Sequence, residues 1–316
     1  MNKKKILLTA LKFLISCFLI YWIIQGVDLG EIIEIITSVN LYILPVLLLL
    51  KFIGYYISAV RWRGLLKAQE GSASISFLIT SYLVSFFFNN ILPSSIGGDV
   101  IRVVDTVKSG TSRLTALTII FVDRFLGVLA LMMIVLLTLF IPSQITAQLP
   151  FSHGWILVSS AGMVGILWLI FMPSKRWTMA LPKFKFPILQ KFSALFQKIV
   201  ESFLVFKRHR NILAQGFLLS LALQFNVVLY HYFLAKSLDL SIPFYSFFIV
   251  IPLYIFITML PISINGIGVR EGILVGLLST LYGFVTRDQA LAFSFMIYGI
   301  TVIQGLFGGV VYALRK

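Results

Sequence analysis

Runs of about twenty apolar residues, each long enough to cross a bilayer as a helix, recur along this 316-residue chain. Only 12% of the residues are charged, whereas a soluble domain carries roughly 25%. A soluble fold of this length would lack the polar surface that water requires. The sequence therefore predicts an all-α polytopic membrane protein, with 1–316 forming one integral membrane domain.

Six of the apolar runs are long enough to form full transmembrane helices. They are Ile6–Ile24, Leu41–Val60, Thr115–Phe140, Gly154–Phe171, Ile212–Ala235 and Gln289–Ala313. Two further apolar runs are each followed by Pro, Gly and Ser residues, after which a short apolar helix begins. They are Ile75–Leu92 and Pro243–Leu260. These breakers predict interrupted helices.

The basic residues predict the orientation in the membrane. Lys3 to Lys5 precede the first run and Arg61, Arg63 and Lys67 follow the second, while residues 25–40 between them carry no Lys or Arg. By the positive-inside rule both termini are cytoplasmic, and 173–210 is a basic amphipathic cytoplasmic segment. This placement also accounts for the net charge of +15, so we expect a plasma-membrane protein with no nucleic-acid partner.

The same orientation requires each interrupted run to enter the membrane and return to the side it came from. The two would then be re-entrant hairpins that approach from opposite faces. LPSSIGGDVIR at 92–102 and LPISINGIGVR at 260–270 are identical at six of eleven positions, 168 residues apart. This predicts an inverted repeat with halves of roughly 1–150 and 151–316. Coincidence among common membrane residues is the alternative.

Each interruption offers candidate substrate-binding residues, because a broken helix exposes backbone polar groups that need partners. The first interruption supplies Asn89, Asn90, Ser95, Gly97, Gly98, Asp99 and Arg102. The second supplies Ser263, Asn265, Gly266, Gly268, Arg270 and Glu271, at the start of a helix where free N–H groups favour an anion. Alternatively, these charges only neutralise each other and anchor the hairpins.

Three further charged residues lie inside apolar runs. Asp123 and Arg124 are candidate binding residues that would pair with a hairpin, because ionisable groups in a membrane usually face the bundle interior. The alternative is a helix that begins later and leaves the pair in the interface. Lys51 either snorkels or lines a cavity, and both interpretations stay open.

Catalytic and metal-binding signatures are absent from the sequence. There is no Walker loop, GxSxG or HExxH, one cysteine at Cys17, and three scattered histidines. We therefore expect a transporter with no catalytic residue, metal or cofactor.

Three segments together resemble a known family. NNILPSSIGGDVIR at 89–102, VDRFLG at 122–127 and LPISINGIGVREG at 260–272 are similar to the lysylphosphatidylglycerol synthase transmembrane-region (flippase-like) family, over nearly the whole chain. The resemblance implies the lipid-translocating half without the synthase domain. It also implies that function concentrates at Asp99, Arg102, Asp123, Arg124, Arg270 and Glu271.

The leading hypothesis is a translocator of a phospholipid or another anionic or aminoacylated lipid, working by alternating access at the two hairpin tips. The first alternative is a membrane-embedded transferase, or an accessory subunit that presents a polyprenyl phosphate or glycolipid to a separate enzyme. The second is a transporter of small anions or amino acids. Membrane lipids are the expected partners, with a lipid-modifying enzyme or a second copy of the chain as further candidates.

Overall fold

The computed structural model describes residues 28–91, 97–139, 200–259 and 266–315, together with 162, 163, 165, 190, 197 and 263. Several predictions lie outside the described residues: the span Ile6–Ile24, most of the span Gly154–Phe171, nearly all of 173–199, and the candidate residues Ser95 and Asn265. Over the described residues every regular element is a helix.

Nine helices are described in chain order. They are α1 (Leu29–Thr37), α2 (Leu44–Lys67), α3 (Ile75–Ile91), α4 (Gly97–Lys108), α5 (Arg113–Leu139), α6 (Arg210–Ser237), α7 (Phe247–Thr258), α8 (Val269–Val275) and α9 (Arg287–Leu314). Short 3₁₀ turns precede α2 (Leu41–Ile43) and α7 (Phe244–Ser246), and a π-helical turn, Gly276–Leu281, follows α8.

Four described helices are long and apolar enough to cross a membrane, which confirms a multi-pass all-helical protein. They are Leu41–Lys67, Arg113–Thr138, Arg210–Ser237 and Arg287–Leu314. Each coincides with one of the six predicted runs.

Two boundaries differ from the sequence prediction. Helix α2 continues to Lys67 instead of ending at Val60, because the arginines and leucines after Val60 are good helix formers and outweigh the single Gly64. Arg61 therefore lies inside the helix and is 6% exposed. The loop predicted between the first two spans contains α1, whose N-cap Asp28 accepts hydrogen bonds from the first turn.

Helices α3 and α4 form a hairpin around the first interruption. The N–H of Ser72, before α3, donates to the carbonyl of Ser109, after α4, at 3.0 Å. At the interruption itself, the N–H of Gly98 donates to Asn89 Oδ1 at 2.7 Å. Arg315, after α9, forms two hydrogen bonds to Asp105 in α4, at 2.8 and 3.0 Å. The open end of this hairpin thus lies beside the end of α9.

Helices α7 and α8 form a second hairpin, which connects to the other end of the bundle. There the N–H of Asn40, before α2, donates to the carbonyl of Ser237, at the end of α6, at 2.7 Å. Short segments join α6 to α7, and the π-helical turn to the start of α9. Ile32 of α1 packs against Leu291 and Ala292 near that start.

The helix pairing crosses between the two hairpins. Helix α2 packs along α6, α3 packs along α9, and α7 packs along α5, so the first arm of each hairpin contacts the helix that follows the other. Glycines allow the α3–α9 contact, since a Cβ on Gly305 would overlap the Asn90 amide and one on Gly308 would overlap the Leu83 carbonyl. Shifting 44–67 by the motif offset of 168 gives 212–235, which lies inside α6.

Candidate functional site

Asp123 of α5 is the centre of a buried charge network beside the first hairpin. Arg61 Nε of α2 donates to Asp123 Oδ1 at 2.6 Å, and an Arg102 terminal nitrogen of α4 donates to Asp123 Oδ2 at 2.7 Å. The Asp123 side chain is 1% exposed and both arginine side chains are 6% exposed. One carboxylate therefore joins three helices in a region where an unpaired charge is expensive.

Two more helices join this Asp123 network through hydroxyl groups. Arg102 donates to the Tyr82 hydroxyl of α3 at 2.9 Å, and Arg61 donates to Ser220 Oγ of α6 at 2.7 Å. The Arg102 guanidinium also lies 4.4 Å from the Tyr82 ring centre and 4.5 Å from that of Trp62, distances at which cation–π attraction operates. Five helices are thus connected around two arginines.

Asp99 and Arg124 extend the network to the edge of the hairpin. Arg124 Nε lies 2.6 Å from Asp99 Oδ2, whereas Arg102 lies 3.9 Å from Asp99 Oδ1. Arg124 of α5 is therefore the shorter partner of Asp99, ahead of Arg102 in its own helix. The structure thus brings Asp123 and Arg124 together with α4, and α5 begins ten residues before Asp123, at Arg113.

A second buried network lies at the start of α8. Arg270 forms hydrogen bonds of 2.6 and 3.1 Å to Glu271 Oε1, and its Nε also donates to Ser294 Oγ of α9 at 3.1 Å. The Arg270 guanidinium lies 4.9 Å from the ring centre of Tyr298. This Arg270 network spans only α8 and α9.

The helix starts at the two interruptions already use some of their N–H groups internally. Gly268 N–H donates to Glu271 Oε2 at 2.6 Å, as Gly98 N–H does to Asn89. Gly266 and Gly268 have φ of +74° and +81°, a region that favours glycine. Asn90 donates to the Thr301 carbonyl of α9 at 2.9 Å. The described part of each tip is thus held by protein groups.

Not every predicted residue at the interruptions has such a contact. The hydroxyl of Ser263 is buried with no hydrogen-bond partner in the described structure. Gly97 is the buried first residue of α4.

A cavity of about 320 Å³ lies between α2, α3, α6 and α7, and we call it the central cavity. Its lining includes Lys51, Tyr55, Asn226 and His231, as well as Tyr82 of the Asp123 network. Its walls therefore include the first arm of each hairpin. Lys51, whose role the sequence left open, lines this cavity.

A second cavity, of about 370 Å³, lies between the last turns of α2 and the start of α6. Arg61, Arg63 and Lys67 contribute to its lining, so we call it the basic cavity. Arg63 Nε is buried there and has no hydrogen-bond partner among the described residues. Such a set of cations suits an anionic headgroup.

Sequence reasoning missed several residues of these sites. Arg61 was assigned to a loop, and Tyr82, Ser220 and Ser294 were not singled out. One signal was available: Lys51, Tyr55 and Ser58 follow each other at helical spacing within an apolar run, which marks a polar stripe on one helix face. The described residues contain no group of three His, Cys, Asp or Glu side chains placed to hold a metal ion.

Comparison with known proteins identifies the family. The sequence matches the lysylphosphatidylglycerol synthase TM region over residues 9–309. The chain belongs to this family. It is also similar to a UPF0104 membrane protein of Pyrococcus horikoshii, at 23% identity over 92% of this chain and 90% of that protein. Membership of the lysylphosphatidylglycerol synthase TM region family links this multi-pass membrane protein to lipid handling.

Proposed function

We propose that this protein translocates an anionic or aminoacylated phospholipid between the leaflets of the plasma membrane. The observation that carries the proposal is the central cavity, a space with polar side chains in its lining that lies between two long apolar helices and the first arms of both hairpins. A headgroup needs such a space to pass through hydrocarbon, while its acyl chains stay in lipid. Transport, with no chemical conversion of the lipid, is the activity proposed.

We further propose that the two hairpins are re-entrant from opposite faces and form an inverted repeat. The Ser72–Ser109 contact and the Asn40–Ser237 contact support this, because they place the outer ends of the hairpins at opposite ends of the bundle. The crossed packing of α3 on α9 and of α7 on α5 supports it as well. Both termini would then be cytoplasmic, with the basic cavity facing the inner leaflet.

In this mechanism the two charge networks hold the hairpins while access to the central cavity alternates between leaflets. The Asp123 network anchors the first hairpin to α2, α5 and α6, and the Arg270 network anchors the second hairpin to α9. An anionic headgroup would meet the cations of the basic cavity before it reaches the central cavity. Membrane lipid would thus surround the helices and also be the transported substrate.

The test is a flipping assay in proteoliposomes. Purified protein is reconstituted with a fluorescent, headgroup-labelled lipid panel that includes a lysyl-phosphatidylglycerol and a polyprenyl-phosphate analogue, and an impermeant reductant bleaches the outer leaflet. We expect bleaching beyond the outer-leaflet fraction for the wild type, and loss of that excess in Arg270→Ala. The matched control is Lys108→Ala, since the Lys108 side chain on α4 is 64% exposed.

Two results would contradict the proposal. One is Arg270→Ala protein, inserted at normal levels, that flips lipid as fast as the wild type. The other is bleaching no deeper than in empty liposomes for every lipid, which would favour a subunit that presents lipid to a separate enzyme.

A further inference from the structure

Lys51 is a cation that lines the central cavity without a carboxylate partner. All eleven Asp and Glu residues of the chain are among the described residues, and none of them forms a salt bridge with Lys51 in the described structure. The Lys51 ammonium instead lies 4.0 Å from the ring centre of Tyr230. A ring face offers partial compensation and leaves the three N–H donors of Lys51 unused.

The depth of Lys51 within α2 makes the lack of a carboxylate partner unusual. It is the eighth residue of α2, about 10 Å along the helix axis from Leu44 and about 24 Å from Lys67 at ~1.5 Å per residue. An ammonium at that depth is costly in a membrane unless a counter-charge or water accompanies it. Lys51 therefore lies in the central cavity, and no Asp or Glu side chain of the described structure pairs with it.

Neighbouring groups add hydrogen-bond donors to the same cavity. Tyr55 lies one turn after Lys51 on α2, and its buried hydroxyl has no hydrogen-bond partner among the described residues. Asn226, on α6, lines the cavity, and no side-chain hydrogen bond from it is found within the described residues. An ammonium, a phenol and an amide in the lining of one cavity offer donors that match the acceptor oxygens of an oxyanion.

Other polar groups in the lining are already engaged. His231 uses both ring nitrogens, one with the Val227 carbonyl at 2.7 Å and the other with the Tyr254 hydroxyl at 3.1 Å. Tyr82 bonds to the Asp123 network. The unsatisfied donors are therefore concentrated on the side of the cavity formed by α2 and α6.

We infer that the central cavity binds the phosphodiester group of an anionic phospholipid, with Lys51 as the counter-ion and Tyr55 and Asn226 as further donors. This deepens the proposed function, on which the lipid source of the phosphate rests, by naming the chemical group recognised. A volume of about 320 Å³ accommodates a phosphodiester with a small polar head and leaves the acyl chains outside. Lys51 thereby favours lipids with net negative charge over neutral ones.

The experiment measures binding and needs no transport. Purified protein in maltoside micelles is titrated with dihexanoyl phosphatidylglycerol, with dihexanoylglycerol as its phosphate-free counterpart, and with inorganic phosphate. Native mass spectrometry or calorimetry reports the affinity. We expect Lys51→Met to weaken phosphatidylglycerol binding at least about tenfold, the effect of losing one charge-assisted hydrogen bond, and Lys51→Arg to stay within a few-fold of the wild type.

Lys236→Met is the matched control. Lys236 is exposed at the end of α6 and also lies over a tyrosine ring, at 5.9 Å from the centre of Tyr232. We expect its removal to leave phosphatidylglycerol affinity unchanged. A drop equal to that of Lys51→Met would overturn the inference, since the effect would then follow net charge alone.

Thermal unfolding separates binding from packing. Without lipid, Lys51→Met should unfold at the same temperature as the wild type or higher, because it removes an uncompensated charge. A lowered unfolding temperature with unchanged lipid affinity would assign Lys51 to packing on Tyr230 and overturn the inference. If inorganic phosphate bound in a Lys51-dependent way and phosphatidylglycerol did not bind, the inference that the phosphate belongs to a lipid would be overturned.

The outcomes also separate this inference from the proposed function. Lys51-dependent binding by a protein that flips no lipid would refute translocation and support the phosphodiester site. Flipping that depends on Arg270, together with full phosphatidylglycerol affinity in Lys51→Met, would support translocation and refute the site.

Discussion

The two hairpins share a motif and an arginine, yet they use that arginine differently. Arg102 and Arg270 occupy the same position of the repeated motif. Arg102 binds Asp123, a residue of another helix, whereas Arg270 binds Glu271, its neighbour in the chain. The first contact joins two helices, α4 and α5, whereas the second lies within the first turn of one short helix, α8. A shared motif therefore does not give the two arginines a shared energetic role.

The difference follows from where each half keeps its carboxylate. At the motif offset of 168 residues, Asp123 corresponds to Leu291 and Glu271 corresponds to Val103. Each half of the repeat thus lacks, at the equivalent position, the acid that pairs with the motif arginine of the other half. The position of one acidic side chain decides whether a buried arginine pairs with another helix or with its own neighbour at the start of a helix.

Asp123→Asn should have the largest effect. An amide oxygen can accept from one arginine, but the amide NH₂ then faces the other, so two buried guanidinium groups lose their shared counter-charge. We expect the free energy of unfolding to fall by about 3–5 kcal/mol, measured by chemical denaturation in detergent. Glu34→Gln, at an exposed position of α1, is the control, and an equal loss in both variants would refute the cross-bundle role.

Glu271→Gln should cost less, about 2–3 kcal/mol, because only one buried arginine loses its partner and Ser294 still bonds to Arg270. The networks share no residue, so the double variant Asp123→Asn/Glu271→Gln should lose the sum of the two single losses. The same denaturation measurement tests this. A deviation above about 0.5 kcal/mol would show that the hairpins are energetically coupled.

Gly308→Ala tests the glycine contact that holds the first hairpin to α9. The added Cβ would overlap the Leu83 carbonyl, so we expect a loss of about 1–2 kcal/mol from overpacking. Gly299→Ala is a matched control on the same helix, since nothing lies within 4 Å of its Cβ position. A Gly308→Ala variant as stable as Gly299→Ala would disprove the close approach of α3 and α9.

Asp105→Asn should give the smallest effect, about 1 kcal/mol, because Asp105 is buried but its partner Arg315 is partly exposed, and an ion pair that solvent reaches contributes little. Arg315→Gln should lose a similar amount, and the double variant should lose no more than either single variant. Thermal unfolding of the three proteins checks this. Additive losses would mean that the two hydrogen bonds between these side chains do not contribute to stability.

Much of the fold follows from the sequence, because apolar length and helix breakers are local properties. The four described spans each match an apolar run. The cost of burying a charge in a membrane also singles out Asp123 and Arg124 from the sequence alone. The full arrangement of six spans and two re-entrant hairpins stays a prediction.

The partners in the site could not be read from the sequence, because they come from other helices whose packing is set by the tertiary structure. Ser220 is 159 residues from Arg61, and Ser294 is 24 residues from Arg270. Arg61 itself was missed because a basic residue after an apolar run indicates a helix end, while tertiary pairing with Asp123 permits the helix to continue. The cavity beside Lys51 likewise exists only through the packing of four helices.

The glycine contact between α3 and α9 has a mechanical consequence. A backbone carbonyl occupies the space beside Gly308 that a side chain would fill, and tightly packed backbones leave no room for sliding. Any large rearrangement must therefore move α3 and α9 as one rigid unit. The relative displacement then falls on other interfaces, such as that between α5 and α7.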